Sequence, residues 1–333
     1  MHDEMEFNRR VSETLMEALA PDGFAASLIA TRSSNPGRFD VQLRRNRSGL
    51  RSWASLYAGL TTILDVDEQN GLFRLRAHPT HRKAGGFNSD WHSPQTRSEL
   101  AAAWPAVMQY VTAADAAVAR RHVQAEGAVH AALCSGAADE YFVIQREASI
   151  AFDNESGKER ICTELVDPIY AAVGEASDGE PWWPGVSDGG RRQALGTGLD
   201  ILAIDRSGRL LAIEAKPANA LAGIVWGPAQ VRFYAELFAR LLSTNTDSIG
   251  HLEAMLAQRI TLKLTSTDAP ETLSEPRVVV PVLAIGPGLI SAVARSRMTS
   301  VALAVERAEG SATIAPLEVW RLDDHGNIEE RWL

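Results

Sequence analysis

The stretch 198-GLDILAIDRSGRLLAIEAKP-217 reads as two apolar strands joined by a tight turn at 206–208, with Asp200, Glu214 and Lys216 set inside otherwise apolar runs. Strands covered on both faces are near-continuous Val/Ile/Leu runs, and a buried charge is costly unless it is paired or bound to a metal. Side chains alternate faces with period two along a strand. Glu214 and Lys216 therefore share a face with Ala212 and Leu210, while Leu211, Ile213 and Ala215 point the other way. Antiparallel pairing across the turn brings Asp200 beside Glu214 and Lys216. Asp205 falls on the opposite face, beside the turn, and is left to solvent. Two carboxylates this close repel unless a proton or a cation lies between them, and for oxygen ligands on a rigid strand pair Mg2+ is the natural cation. The competing reading is an ordinary hairpin whose charges reach water at the strand ends. Lysine usage favours the metal site: of 33 basic residues only Lys83, Lys158, Lys216 and Lys263 are lysines. A compact ammonium whose pKa can be shifted is something arginine cannot supply.

Working outward, a helix is expected to open at Pro228, a favoured first-turn residue, and to run to about Leu242. Gln230 and Tyr234 are four apart on it and share a face. Near a helix N-terminus, where anions are welcome, Gln230 could bond a phosphate or Lys216; a core Tyr234 with a solvated Gln230 is the plainer alternative. Upstream, 125-AEGAVHAAL-133 puts Glu126 and His130 four apart on one helical face, so either could add a metal ligand, although a lone helical Glu is commonly a surface residue. Between these pieces the sequence predicts a helix at 122–134, a strand at 140–152, a helix around 161–173, a Gly/Pro/Asp-rich loop at 174–198, and strands at 199–205 and 209–216. Beyond them it predicts a helix at 247–258, a strand at 277–285, a helix near 288–297, a strand at 299–306 and a hairpin at 317–332. Helices interleaved with apolar strands imply a layered α/β core with both sheet faces covered.

The N-terminal third reads differently. A helix at 4–19 precedes a strand at 39–45 and a hairpin at 61–77 with Asn70-Gly71 as its turn. An Ala-rich helical region over 93–135 follows, with two helices meeting near 115–123. The expected division is an N-terminal α+β domain at 1–115, for substrate or partner recognition, and a second domain at 116–333. Hydrophobic content of 45% and charged content of 23% are ordinary for a globular protein. Two cysteines, Cys134 and Cys162, are too few for a disulfide framework and suggest a reducing cytoplasm. The polar start MHDEMEFNRR fits no signal or transit peptide. The longest apolar run, 278–294, is broken by Pro281, Gly286, Pro287 and Gly288, so no membrane span is expected.

The order helix with Glu126, strand, Asp200 on a strand, Glu214-Ala215-Lys216 on the next, then a helix resembles the PD-(D/E)XK nuclease superfamily. Gln230-Val-Arg-Phe-Tyr234 is similar to the Gln-x-x-x-Tyr motif of its RecB-type branch. Gly198-Leu-Asp200 resembles that branch's metal-binding strand, and Ala-Val-His130-Ala-Ala-Leu its helical histidine motif. The resemblance covers residues 122–306. It departs from the superfamily in lacking a Pro-Asp dipeptide at the first acid, and in carrying Glu126 where a Gly usually precedes the histidine by four. It implies a restriction-endonuclease-like mixed sheet flanked by helices. It also implies Asp200, Glu214 and the Ala215 carbonyl as ligands of Mg2+ or Mn2+, with Lys216 orienting or deprotonating the attacking water and Gln230 and Tyr234 assisting. The family reaction is phosphodiester hydrolysis, usually of DNA, and repair or defence against foreign DNA fits only by analogy.

A net charge of −9 argues against global electrostatic binding of nucleic acid but allows a local basic surface. Residues 32–51 supply Arg32, Arg38, Arg44, Arg45, Arg47 and Arg51 against the single acid Asp40. Arg38, Arg44, Arg45 and Arg47 are the candidate phosphate contacts; an Arg-rich solvated strand is the alternative. Trp182-Trp183 could stack on a base or anchor their own loop. Two functional readings follow: a Mg2+-dependent nuclease, with a homodimer allowed, and a non-cutting nucleic-acid-binding module on the same fold. A third is a partner-binding protein with a coincidental hairpin.

Overall fold

The computed structural model describes residues 5–35, 37–118, 125–135, 140–177, 198–308 and 310–333. A short strand β1 (Met5–Glu6) leads to helix α1 (Glu13–Leu19), whose N-terminus is capped by the Ser12 hydroxyl, and to α2 (Ala26–Ser34). A four-stranded antiparallel meander follows: β2 (Phe39–Arg45), β3 (Ser52–Ala58), β4 (Thr61–Gln69) and β5 (Leu72–Arg76). Asn70 and Gly71 both take positive φ at the β4–β5 turn, the conformation that an Asn-Gly pair favours. Alternation puts Val41, Leu43, Leu56, Val66, Phe73 and Leu75 on one face, facing α1, α2 and α4 (Arg97–Ala117), with the short α3 (Pro79–Gly85) between β5 and α4. A capping box between Thr96 and Glu99 starts α4.

The second half contains α5 (Glu126–Cys134), β6 (Tyr141–Ser149), β7 (Ala151–Phe152), α6 (Glu155–Ser177), β8 (Gly198–Asp205) and β9 (Leu210–Lys216). It continues with α7 (Leu221–Thr244), α8 (Asp247–Thr261), β10 (Val279–Ile285), α9 (Ala292–Val305), β11 (Glu318–Leu322) and β12 (Ile328–Arg331). Its six-stranded sheet has the order β12-β11-β10-β9-β8-β6. Strands β6, β8 and β9 run antiparallel, whereas β9, β10 and β11 are parallel. Parallel neighbours need long crossovers, which α7–α8 and α9 supply. On one face Leu202, Ile204, Leu210, Ala212 and Leu283 pack with α6, α7, α8 and α9. On the other, Ile201, Ala203, Ile213 and Val282 meet Val129 and Leu133 of α5. The chain is thus a mixed α/β protein. Among the described residues no helix is long and apolar enough to cross a membrane.

The two halves exchange segments. Met5–Glu6 pairs with Phe152 and Ala151, and Phe7 meets Phe238 edge-on at 5.5 Å inside the second core. Leu262 and Leu264 are in turn buried in the first core.

Several predicted elements differ. The expected helix at 4–19 begins only at Glu13, because the segment before it is claimed by β-pairing and by the second core. The helix placed at Pro228 opens at Leu221 and carries Pro228 inside it; burial from Ile224 onward outweighs the local cost of proline. The strand expected at 299–306 is the end of α9, whose buried Ala294, Met298, Val301, Ala302 and Val305 follow helical spacing. A short apolar run does not by itself separate the two periods. Helix α2 and strand β3 went unpredicted.

Candidate metal centre

The turn that places the charged strands side by side is built around Asp205 and Gly208. Asp205 Oδ1 accepts from the amides of Ser207 and Arg209, and Gly208 takes φ 83°. Asp205 also binds the Arg209 guanidinium and takes no part in the site. Pairing of β8 with β9 stops at Ile201–Ile213, whereas β9 continues beside β10 as far as Lys216–Ile285. Asp200 and Glu214 thus lie just past the last β8–β9 pair. The Ala215 N–H, with no strand partner on that side, donates to Asp200 Oδ2 at 2.9 Å. Lys216 Nζ donates to Glu214 Oε1 at 2.6 Å. Gly223 lets the start of α7 close over Lys216, since a Cβ there would lie 3.2 Å from Lys216 Cδ.

Helix α5 approaches from the other side of the sheet. His130 Nε2 lies 3.7 Å from Asp200 Oδ2 and 4.0 Å from Glu126 Oε1. One ligand atom from each of the three residues falls within 4.8 Å of the others. The i, i+4 spacing of Glu126 and His130 brings both to this point, and Asp200 is common to this set and to the Asp200–Glu214 pair.

Burial dominates the electrostatics. Glu214 and His130 are each 3% exposed. Burial, and then the Asp200 charge, push the Glu214 carboxyl up to about 8. Asp200 is raised as well, by burial, against the pull of Lys216 and the Ala215 amide. His130 is lowered to about 3 by burial, and then by the nearby Arg146 charge, so its imidazole is neutral at pH 7. For Lys216 burial is the largest influence and acts downward, but the Glu214 and Asp200 charges outweigh it and the net shift is upward. Glu214 Oε2 and both ring nitrogens of His130 are buried without a hydrogen-bond partner among the described residues. Such atoms are costly to leave unmade. The carboxylate oxygens suit Mg2+ or Mn2+, and a neutral imidazole nitrogen beside them suits Mn2+ better than Mg2+, so the residues present fit a divalent ion.

Of the other predicted site residues, Tyr234 is buried on α7. Burial, then the Glu214 and Asp200 charges, raise its phenol. Gln230 is half-buried one turn earlier on the same face. Because α7 starts at Leu221, Gln230 sits well inside the helix rather than at its anion-binding end. Arg38 donates to Asp115 at 3.0 Å, Arg44 to Glu147 at 2.7 Å, and Arg47 to the Phe152 carbonyl and Asp153. These three arginines tie parts of the chain together. Arg32 is buried on the carbonyls of Cys134, Ser135 and Leu264, while Arg45 is half-buried at the end of β2. Trp182 and Trp183 lie outside the described residues. Sequence reasoning missed Arg146. It is fully buried, stands over the Tyr57 ring at 4.6 Å and lies 3.9 Å from Asp40 Oδ2. The signal was present in 140-EYFVIQREASIAF-152, an apolar strand with an arginine at its middle.

No family model, curated protein or solved structure matches the chain.

Proposed function

We propose that the protein is a metal-dependent nuclease of the PD-(D/E)XK type, hydrolysing phosphodiester bonds in DNA. The observation that carries this reading is the convergence of Asp200, Glu214 and Lys216 at the point where β8 and β9 part, with unpaired buried atoms of Glu214 and His130 beside them. The order of the second sheet, antiparallel on one side of β9 and parallel on the other, also supports a restriction-endonuclease-like core. Asp200 and Glu214 would hold Mg2+ or Mn2+, with His130 and Glu126 completing the donor set. When bound, the ion supplies electrostatic stabilisation of the charge that develops on the phosphate and leaving oxygens. The Ala215 amide fixes the Asp200 carboxylate. Lys216, held protonated by its acidic neighbours, orients the attacking water and offers its N–H groups to the phosphate, acting as a charge rather than as a base. The new bond joins the water oxygen to phosphorus as the ester P–O bond breaks; the attacking water gives its proton to solvent, and the leaving oxygen takes one from solvent to depart as the alcohol. The test is incubation of the purified chain with linear, circular and single-stranded DNA in Mg2+, Mn2+ or EDTA. Cleavage in metal and none in EDTA is expected; intact DNA under every condition refutes the reading.

A further inference from the structure

The β2–β5 sheet has a second face that its helices leave aside. Cross-strand register sets Arg44, Trp53, Asp67 and Arg74 in one row, and Gln42, Ser55, Asp65 and Arg76 in the next. Asp67 is buried, and three guanidiniums converge on it: Arg51 at 2.5 Å, Arg76 at 2.9 Å and Arg74 at 3.4 Å. Asp67 and Asp65, which stands opposite Arg76 in the register, leave the three guanidiniums with one positive charge in excess. Arg44 is matched by Glu147, and the Asp65 carboxyl accepts the Ser55 hydroxyl at 2.6 Å. Arg51, Arg74 and Arg76 keep side-chain exposures of 24, 30 and 39%, so the excess charge faces water. Arg51 lies over the half-buried Trp53 ring at 4.7 Å. Helices α1, α2 and α4 serve the apolar face, while α5 and β6 reach the polar face at β2.

We infer that this face is a docking surface for single-stranded DNA, with Arg51, Arg74 and Arg76 taking phosphates and Trp53 an unpaired base. A flat aromatic flanked by guanidiniums is a stacking platform with a charged margin, the combination that holds unpaired strands. The choice of DNA as the occupant rests on the nuclease reading of the metal centre.

The test is fluorescence anisotropy of a labelled single-stranded oligonucleotide in EDTA, where no cleavage is expected, with the full chain. The Arg74→Gln/Arg76→Gln variant should bind at least about tenfold more weakly, and its log K against log salt slope should flatten by about 1.4 for two lost phosphate contacts. Trp53→Ala should also lose about tenfold. Since Asp67 leans on these arginines, a second measurement uses the unaltered protein: photo-cross-linking of an iododeoxyuridine oligonucleotide, expected to label Trp53. Unchanged affinity and slope in the double variant, cross-links away from β3–β5, tighter binding of duplex or RNA, or no binding of single strands overturns the inference. Binding and cross-linking as expected but without cleavage in Mg2+ would leave this surface standing and overturn only the nuclease reading.

Discussion

Replacing Glu214 by Gln keeps the shape of the side chain and removes its titration. The carboxyl is almost fully buried, so little solvent screening applies, and its pKa rises from an ordinary 4.5 to about 8. At about 1.4 kcal/mol per unit, that rise amounts to roughly 5 kcal/mol. The sign follows from proton linkage. A carboxyl whose pKa is raised on folding binds its proton more tightly in the folded chain. Its contribution to stability is therefore complete below pH 4.5 and is lost as pH rises toward 8. In EDTA, urea unfolding of the wild-type protein followed by tryptophan fluorescence should show this loss between pH 5 and 8, and Glu214→Gln should lack it. His130 acts in the opposite direction: lowered to about 3, it gives stability above its ordinary 6.5 that is lost as pH falls. That behaviour is common to both proteins, so the difference between the two curves reports Glu214 together with its coupling to Asp200. Parallel curves would show that Glu214 is not a buried, raised carboxyl and would remove the electrostatic basis of the site.

The same protonation couples to metal binding. Mn2+ must displace the Glu214 proton, so calorimetry at pH 7 in buffers of different ionisation enthalpy should show release of about one proton; none released contradicts Glu214 as a ligand. Gly227→Ala places a Cβ 2.5 Å from Leu283 Cδ1 where α7 crosses β10, and should cost about 1–3 kcal/mol; an unchanged melting temperature contradicts that packing. Phe7→Ala should cost about 3–5 kcal/mol, because Phe7 belongs to the core of the second half. A cost below about 1 kcal/mol would mean that the N-terminal segment does not dock there.

The hairpin at the centre of the site was legible because charges inside apolar runs have few explanations, and period two fixes which of them meet. The spacing of Glu126 and His130 was equally readable, although only the packing of α5 on the sheet shows that His130 reaches Asp200. Arg146 obeyed the same rule as Asp200 and was passed over because its partners Asp40 and Tyr57 are supplied by a distant sheet. The start of α7 was misplaced because Pro228 is a local signal, and the burial that overrides it is not local. The arginines of 32–51 were read as a patch by composition. Their partners Asp115, Glu147 and Asp153 lie far along the chain, whereas Arg74 and Arg76, outside that run, join Arg51 only through strand register.

The most direct test of the metal centre is the DNA cleavage rate in Mg2+ of the wild-type protein beside Lys216→Ala and Asp200→Asn, with circular dichroism confirming that all three are folded. A nuclease working through this site cuts as the wild type and loses cleavage by orders of magnitude in both variants. Cleavage that persists in Lys216→Ala contradicts the assignment.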